Sequence, residues 1–117
     1  MRHLKKGRKF GRRRSQRRHF LEGLANNLIV NEKIQTTLSR ARELRPYMEK
    51  LVTTARQQTL HALRLLLSRL PRRAALKLYY DIGPRYHGRA GGYLRVVKTS
   101  KTRKRDSAEA AVIEFVK

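Results

Sequence analysis

Cysteine and tryptophan are missing from these 117 residues, and acids are scarce: eight Asp and Glu stand against thirty Lys and Arg, a formal net charge of +22. Without cysteine there is no disulfide and no thiolate metal ligand, which fits a reducing compartment. No apolar run approaches the roughly 20 residues that a bilayer span needs, and Leu4 to Arg18 holds no apolar segment of a secretory signal. An Arg-rich, acid-free start is shared with mitochondrial transit peptides, but Gly7, Gly11 and the crowding of charge spoil an amphipathic helix there. His3, His19, His61 and His87 lack metal-ligand spacing. Most of the few acids have a basic residue three or four positions away on a predicted helix, the spacing of helix salt pairs. No paired carboxylates and no Ser-His-Asp set stand out. Gly88-Arg89-Ala90-Gly91-Gly92 lacks the Lys-Ser/Thr that completes a phosphate-binding P-loop. Together these absences exclude an enzyme, and with it a metal, a cofactor and a small-molecule substrate.

What is abundant is positive charge, and it is unevenly placed. Met1 to Arg18 carries ten lysines and arginines and no acid, with Leu4 and Phe10 as its sizeable apolar side chains. Such a run cannot fold alone and is expected to be disordered until a polyanion orders it. Residues 20–70 are close to balance, whereas residues 71–105 set eleven basic groups against Asp81 alone. A foldable middle flanked by two basic blocks suits a small domain with two polyanion-binding surfaces. The expected division is a basic arm, 1–14, and one domain, 15–117.

Helical periodicity starts after the arm. Phe20, Leu24 and Leu28, with Leu21, Ala25 and Ile29 beside them, predict a helix over about 15–31. Lys33 to Thr37 is short and β-branched and reads as a strand, after which Thr37 caps a helix striped by Ala41, Leu44, Met48, Leu51, Val52 and Ala55. Pro46 should kink or restart that helix. Thr59 to Leu70 is so rich in leucine that it is expected to lie deepest in the core. Pro71 is placed at the first position of another helix, striped by Ala75, Leu78, Tyr79 and Ile82, and Gly83-Pro84 is expected to stop it with a left-handed glycine. Residues 93–98 and 111–116 alternate as strands joined by a long basic tip, Thr99 to Asp106. The class is α+β, with helices on one face of a small sheet.

Between Arg85 and Arg95 arginines and tyrosines interleave with glycine. Glycine admits a phosphate to the backbone, arginine forks onto its oxygens, and tyrosine stacks on an unpaired base. A helix-to-strand connection whose tyrosines pack on the core explains the same residues, and Tyr93 suits that role. The candidate RNA-binding residues are Arg2, His3, Lys5, Lys6, Arg8, Lys9, Arg12, Arg13, Arg14, Arg17 and Arg18 in the arm. To these are added Arg85, Tyr86, Arg89, Tyr93 and Arg95 in the loop, and Lys98, Lys101, Arg103, Lys104 and Arg105 along the hairpin.

Met1-Arg2-His3 with Gly7-Arg8-Lys9, Ile34-Gln35-Thr36-Thr37-Leu38-Ser39-Arg40-Ala41-Arg42-Glu43-Leu44-Arg45, Gly83-Pro84-Arg85-Tyr86 with Arg89, Gly91-Gly92-Tyr93 and Arg95, and the ending Ala111-Val112-Ile113-Glu114-Phe115-Val116 stand in one order over nearly the whole chain. In that combination the sequence resembles the L-seventeen family of bacterial large-subunit ribosomal proteins. The resemblance implies a helix, a strand, three helices and two strands around a three-stranded mixed sheet. It further implies a cytoplasmic protein, housed in the ribosome, that binds 23S ribosomal RNA near the peptide exit tunnel. Its neighbours there would be the proteins numbered twenty-two and thirty-two. The chain departs from the family pattern at Gly11 to Arg17, where many members carry Asn-Arg and Ser-His-Arg, and in the leucine-rich segment 57–70. The expected mechanism is scaffolding, in which arm, loop and hairpin tip neutralise phosphates of separate RNA segments around a balanced core. The rival reading is a free nucleoid-associated or RNA-chaperone protein. A membrane-surface protein would want an amphipathic basic helix, which the arm is not.

Overall fold

The computed structural model describes residues 3, 4 and 6–117. Helix α1 (Arg14–Asn31) buries Ala25, Leu28 and Ile29 and stops at the expected residue. The left-handed residue past its end is Glu32, whose N–H donates to the Leu28 carbonyl and whose carbonyl accepts from Phe115. Strand β1 (Lys33–Thr37) follows, and Thr37 caps α2 (Leu38–Arg56), its hydroxyl accepting the Arg40 N–H at 3.4 Å. The helix does not restart at Pro46: α2 is one helix with Pro46 inside it. Pro46 is exposed, while Ala41, Leu44, Met48, Leu51, Val52 and Ala55 are buried on both sides of it along the opposite face. That packing outweighs one missing helical hydrogen bond.

Helix α3 (Leu60–Arg69), capped by Thr59, is peripheral rather than deepest. It buries Ala62 and Leu66, and Leu70 just past its end, whereas Leu60 is 60% exposed and Leu67 39%. The stripe 62, 66, 70 is one side chain wide, so a leucine-dense helix is still wetted on its other side. Pro71 stands just outside α4 (Arg72–Lys77), which runs on through a π turn, Leu78–Ile82, and a closing turn, Gly83–Arg85. Gly83 therefore does not end the helix in a left-handed cap. Its φ is −53°, and a Cβ there would lie 3.0 Å from the Ala55 carbonyl oxygen, so glycine is required by close packing on the end of α2.

Strands β2 (Leu94–Thr102) and β3 (Glu109–Phe115) complete a sheet of order β1-β3-β2. It is antiparallel throughout and not mixed, because β1 and β2 run parallel to each other but are separated by β3. The register sets Ile34 beside Ile113 beside Val96, and Leu94 beside Phe115, giving an apolar face on which the helices pack. The hairpin tip is shorter than expected, since β2 continues to Thr102. Residues 103–108 close it, Arg103 N–H donating to Ala108 and Ser107 N–H to Arg103.

Candidate nucleic-acid interface

The Arg85–Arg95 loop is a fastened joint. Tyr86 is 4% exposed and Tyr93 fully buried; their rings meet at 5.2 Å, and Tyr86 also stacks on Phe115. The Tyr86 hydroxyl donates to the Val116 carbonyl at 2.6 Å, and burial pushes its pKa up. Neither ring faces outward to stack on a base, so the two tyrosines are core residues. Arg85 is paired with Glu32 and, at 3.1 Å, with Asp81. Burial opposes its charge, but those two carboxylates prevail and raise its pKa. Arg89 is exposed, its Nε donating to the Gly91 carbonyl, and Arg95 pairs with Glu114 at 2.9 Å, near Lys33 at 3.8 Å. Glu49, which the spacing assigns to a helix salt pair, instead accepts the N–H groups of Tyr93 and Leu94, each at 3.2 Å, and so pins the start of β2 to α2.

On the hairpin, Arg103 donates to Asp106 at 3.1 Å. The Ala108 N–H, and then that guanidinium, hold the Asp106 carboxyl below its ordinary pKa. Lys101, Lys104 and Arg105 are exposed and, among the described residues, have no carboxylate partner. Lys98 lies along β2 and lines a cleft against α2.

From Arg8 on the arm lies against α1 and α2: Arg8 pairs with Glu43 at 3.1 Å, and Phe10 packs on Phe20 at 5.4 Å. The Arg12 guanidinium sits 3.9 Å over the Phe20 ring and donates to the Phe10 carbonyl, with Arg40 at 5.1 Å from the same ring. Arg18 pairs with Glu22 at 3.2 Å, His19 close by. Lys6, Lys9, Arg13, Arg14 and Arg17 meet no carboxylate among the described residues, and His3 is exposed. Arg2 and Lys5 lie outside the described residues.

These groups converge on α2. Arg40 meets the arm's Arg12 across Phe20 and shares a cavity of about 270 Å³ with Arg103 of the hairpin. Arg42 and Arg45, two residues further along and beyond, line the cleft with Lys98. The Arg89 loop lies at the other end of the helix, where Arg56 donates to the Arg89 carbonyl; 19 residues of helix separate the two ends by about 28 Å. Arg40, Arg42 and Arg45 were not among the sequence candidates. The signal for them was present: the first turn of α2 holds no acid, although the helix dipole favours one there.

Among the described residues no His, Asp and Glu cluster could hold a metal, and no helix is long and apolar enough to cross a membrane. The acids are engaged within the fold at Glu22, Glu32, Glu43, Glu49, Asp81, Asp106 and Glu114. They leave an outward surface that is predominantly cationic. The model of the family described as Ribosomal protein L17 matches residues 20–116. The chain is 44% identical to the large ribosomal subunit protein bL17 of Sulfurihydrogenibium sp. (strain YO3AOP1), over 99% of this chain and 97% of that one. It is 47% identical to the bL17 of Gemmatimonas aurantiaca, over 99% and 98%, and 46% identical to that of Persephonella marina, over 99% and 95%. A match over this length assigns the chain to the ribosomal protein L17 family.

Proposed function

We propose that the chain is a structural, non-catalytic protein of the large ribosomal subunit, working in the cytoplasm within that particle, where it binds 23S ribosomal RNA near the peptide exit tunnel. The observation that carries this reading is the gathering of Arg12, Arg40 and Arg103 at one end of α2, with Arg42, Arg45 and Lys98 continuing the track. Residues 1–14 act as the arm that enters RNA, and the domain from 15 onward fixes where it starts. Lys101, Lys104 and Arg105 reach a further RNA segment. Holding separated strands, one small protein offsets the phosphate repulsion that would open their fold. The proteins numbered twenty-two and thirty-two are the neighbours to examine for contact.

Affinity for ribosomal RNA tests this. If six to ten phosphates are neutralised, binding should weaken by about 10³ to 10⁵ between 50 and 200 mM salt, with duplex DNA as the guide. A nearly flat salt response contradicts an electrostatic grip.

A further inference from the structure

Between the first turns of α2 and the middle of β2 lies an open cleft of about 600 Å³, within the range of small-ligand sites. Neither the arm nor the hairpin tip contributes to it. Leu38, Pro46 and Val96 give it apolar walls, and Arg42, Arg45 and Lys98 surround them with positive charge. We propose that this cleft takes a single unpaired RNA nucleotide, its base against Leu38, Pro46 and Val96 and its flanking phosphates on Arg42, Arg45 and Lys98. The proposal rests on the RNA-binding reading above and adds the site and the kind of nucleotide.

Three observations carry it. First, among the described residues none of the three cations is paired with a carboxylate, and with Glu49 counted the lining keeps a net positive charge. Glu43, between Arg42 and Arg45 in sequence, is held by Arg8. Glu49, the carboxylate that lines the cleft, is occupied by the amides of Tyr93 and Leu94. Second, the walls are apolar between charged rims. A duplex presents only phosphates and sugars to such a surface, whereas an extruded nucleotide presents a flat base face for the apolar walls and phosphates for the rim. Third, Pro46 is exposed and lines the cleft, so its ring stands on the wall as a rigid apolar face. A rigid apolar surface of this kind suits the face of an unpaired base. Pro46 thus serves the cleft, while α2 continues past it as one helix.

The test uses the full chain and two synthetic RNA hairpins that are alike except that one carries a single bulged adenosine. Fluorescence anisotropy at about 200 mM salt suppresses the shared phosphate term. The bulged hairpin should bind about tenfold more tightly, the step expected of one well-seated base. Pro46→Ala removes the apolar ring from the wall, and Arg42→Gln with Arg45→Gln removes rim charge at exposed positions. Each should bring the ratio toward one, and Pro46→Ala should leave binding of the paired hairpin within about threefold. Equal affinity of the unaltered chain for both hairpins, or a preference that survives in both variants, overturns the cleft and leaves RNA binding standing. Failure to bind either hairpin even at about 50 mM salt overturns RNA binding itself, and the cleft with it.

Discussion

Glu49 stands four residues after Arg45, the spacing of a helix ion pair, yet its carboxylate turns to the amides of Tyr93 and Leu94. Sequence spacing records what shares a helix face; it cannot record which strand will arrive beside it. Tyr86 and Tyr93 make the same point, since arginine and glycine around them fit RNA and core equally well until the ring partners are known. Glu49→Ala leaves two amides short of a partner and should cost about 1–3 kcal/mol in urea unfolding. Glu22→Ala, which breaks an exposed pair with Arg18, should cost at most about 1 kcal/mol. Equal small losses would remove Glu49 from its joint. At the hairpin tip, Asp106 has a depressed pKa, so its contribution is present above the ordinary value of 3.8 and is lost only as pH falls through the lower folded value. An NMR titration of its carboxyl should give a midpoint below 3.8; a midpoint at or above it would mean that neither Ala108 nor Arg103 holds the tip.

At the scale of elements, the apolar stripes and capping residues placed α1, β1 and the start of α2 within a residue, because each is a local pattern that tertiary packing left intact. Three features were not local. Pro46 inside α2 is tolerated by the burial on the helix's far side, and Gly83 is explained by the approach of Ala55 from another element. The depth of α3 depends on how many elements cover it, and its leucines do not state that. Leu66→Ala should therefore lower stability by about 2–5 kcal/mol, as a cavity in the core does. Leu60→Ala, at a position 60% exposed, should change thermal unfolding by no more than about 0.5 kcal/mol. Equal losses would place α3 in the core after all.

For the whole molecule, the charge pattern alone pointed to a polyanion partner, and the resemblance narrowed it to a ribosome. What the charge pattern did not show is where the cations gather. Arg40, Arg42 and Arg45 sit on the helix that looked balanced, and the carboxylate that balanced them on paper, Glu43, is drawn away by Arg8 of the arm. The contacts at Arg8, Phe10 and Arg12 give the arm a root on α1 and α2. Placement in the particle should depend on that root as well as on total charge. The direct measurement is sedimentation of a cell extract at moderate salt with the chain tagged. The expected result is migration with the large ribosomal subunit at one copy per particle, falling sharply when residues 2–14 are removed. A chain that stays at the top of the gradient, or spreads over nucleic acid of every size without a fixed ratio to the large subunit, would contradict a structural place in that subunit and favour a free polyanion binder.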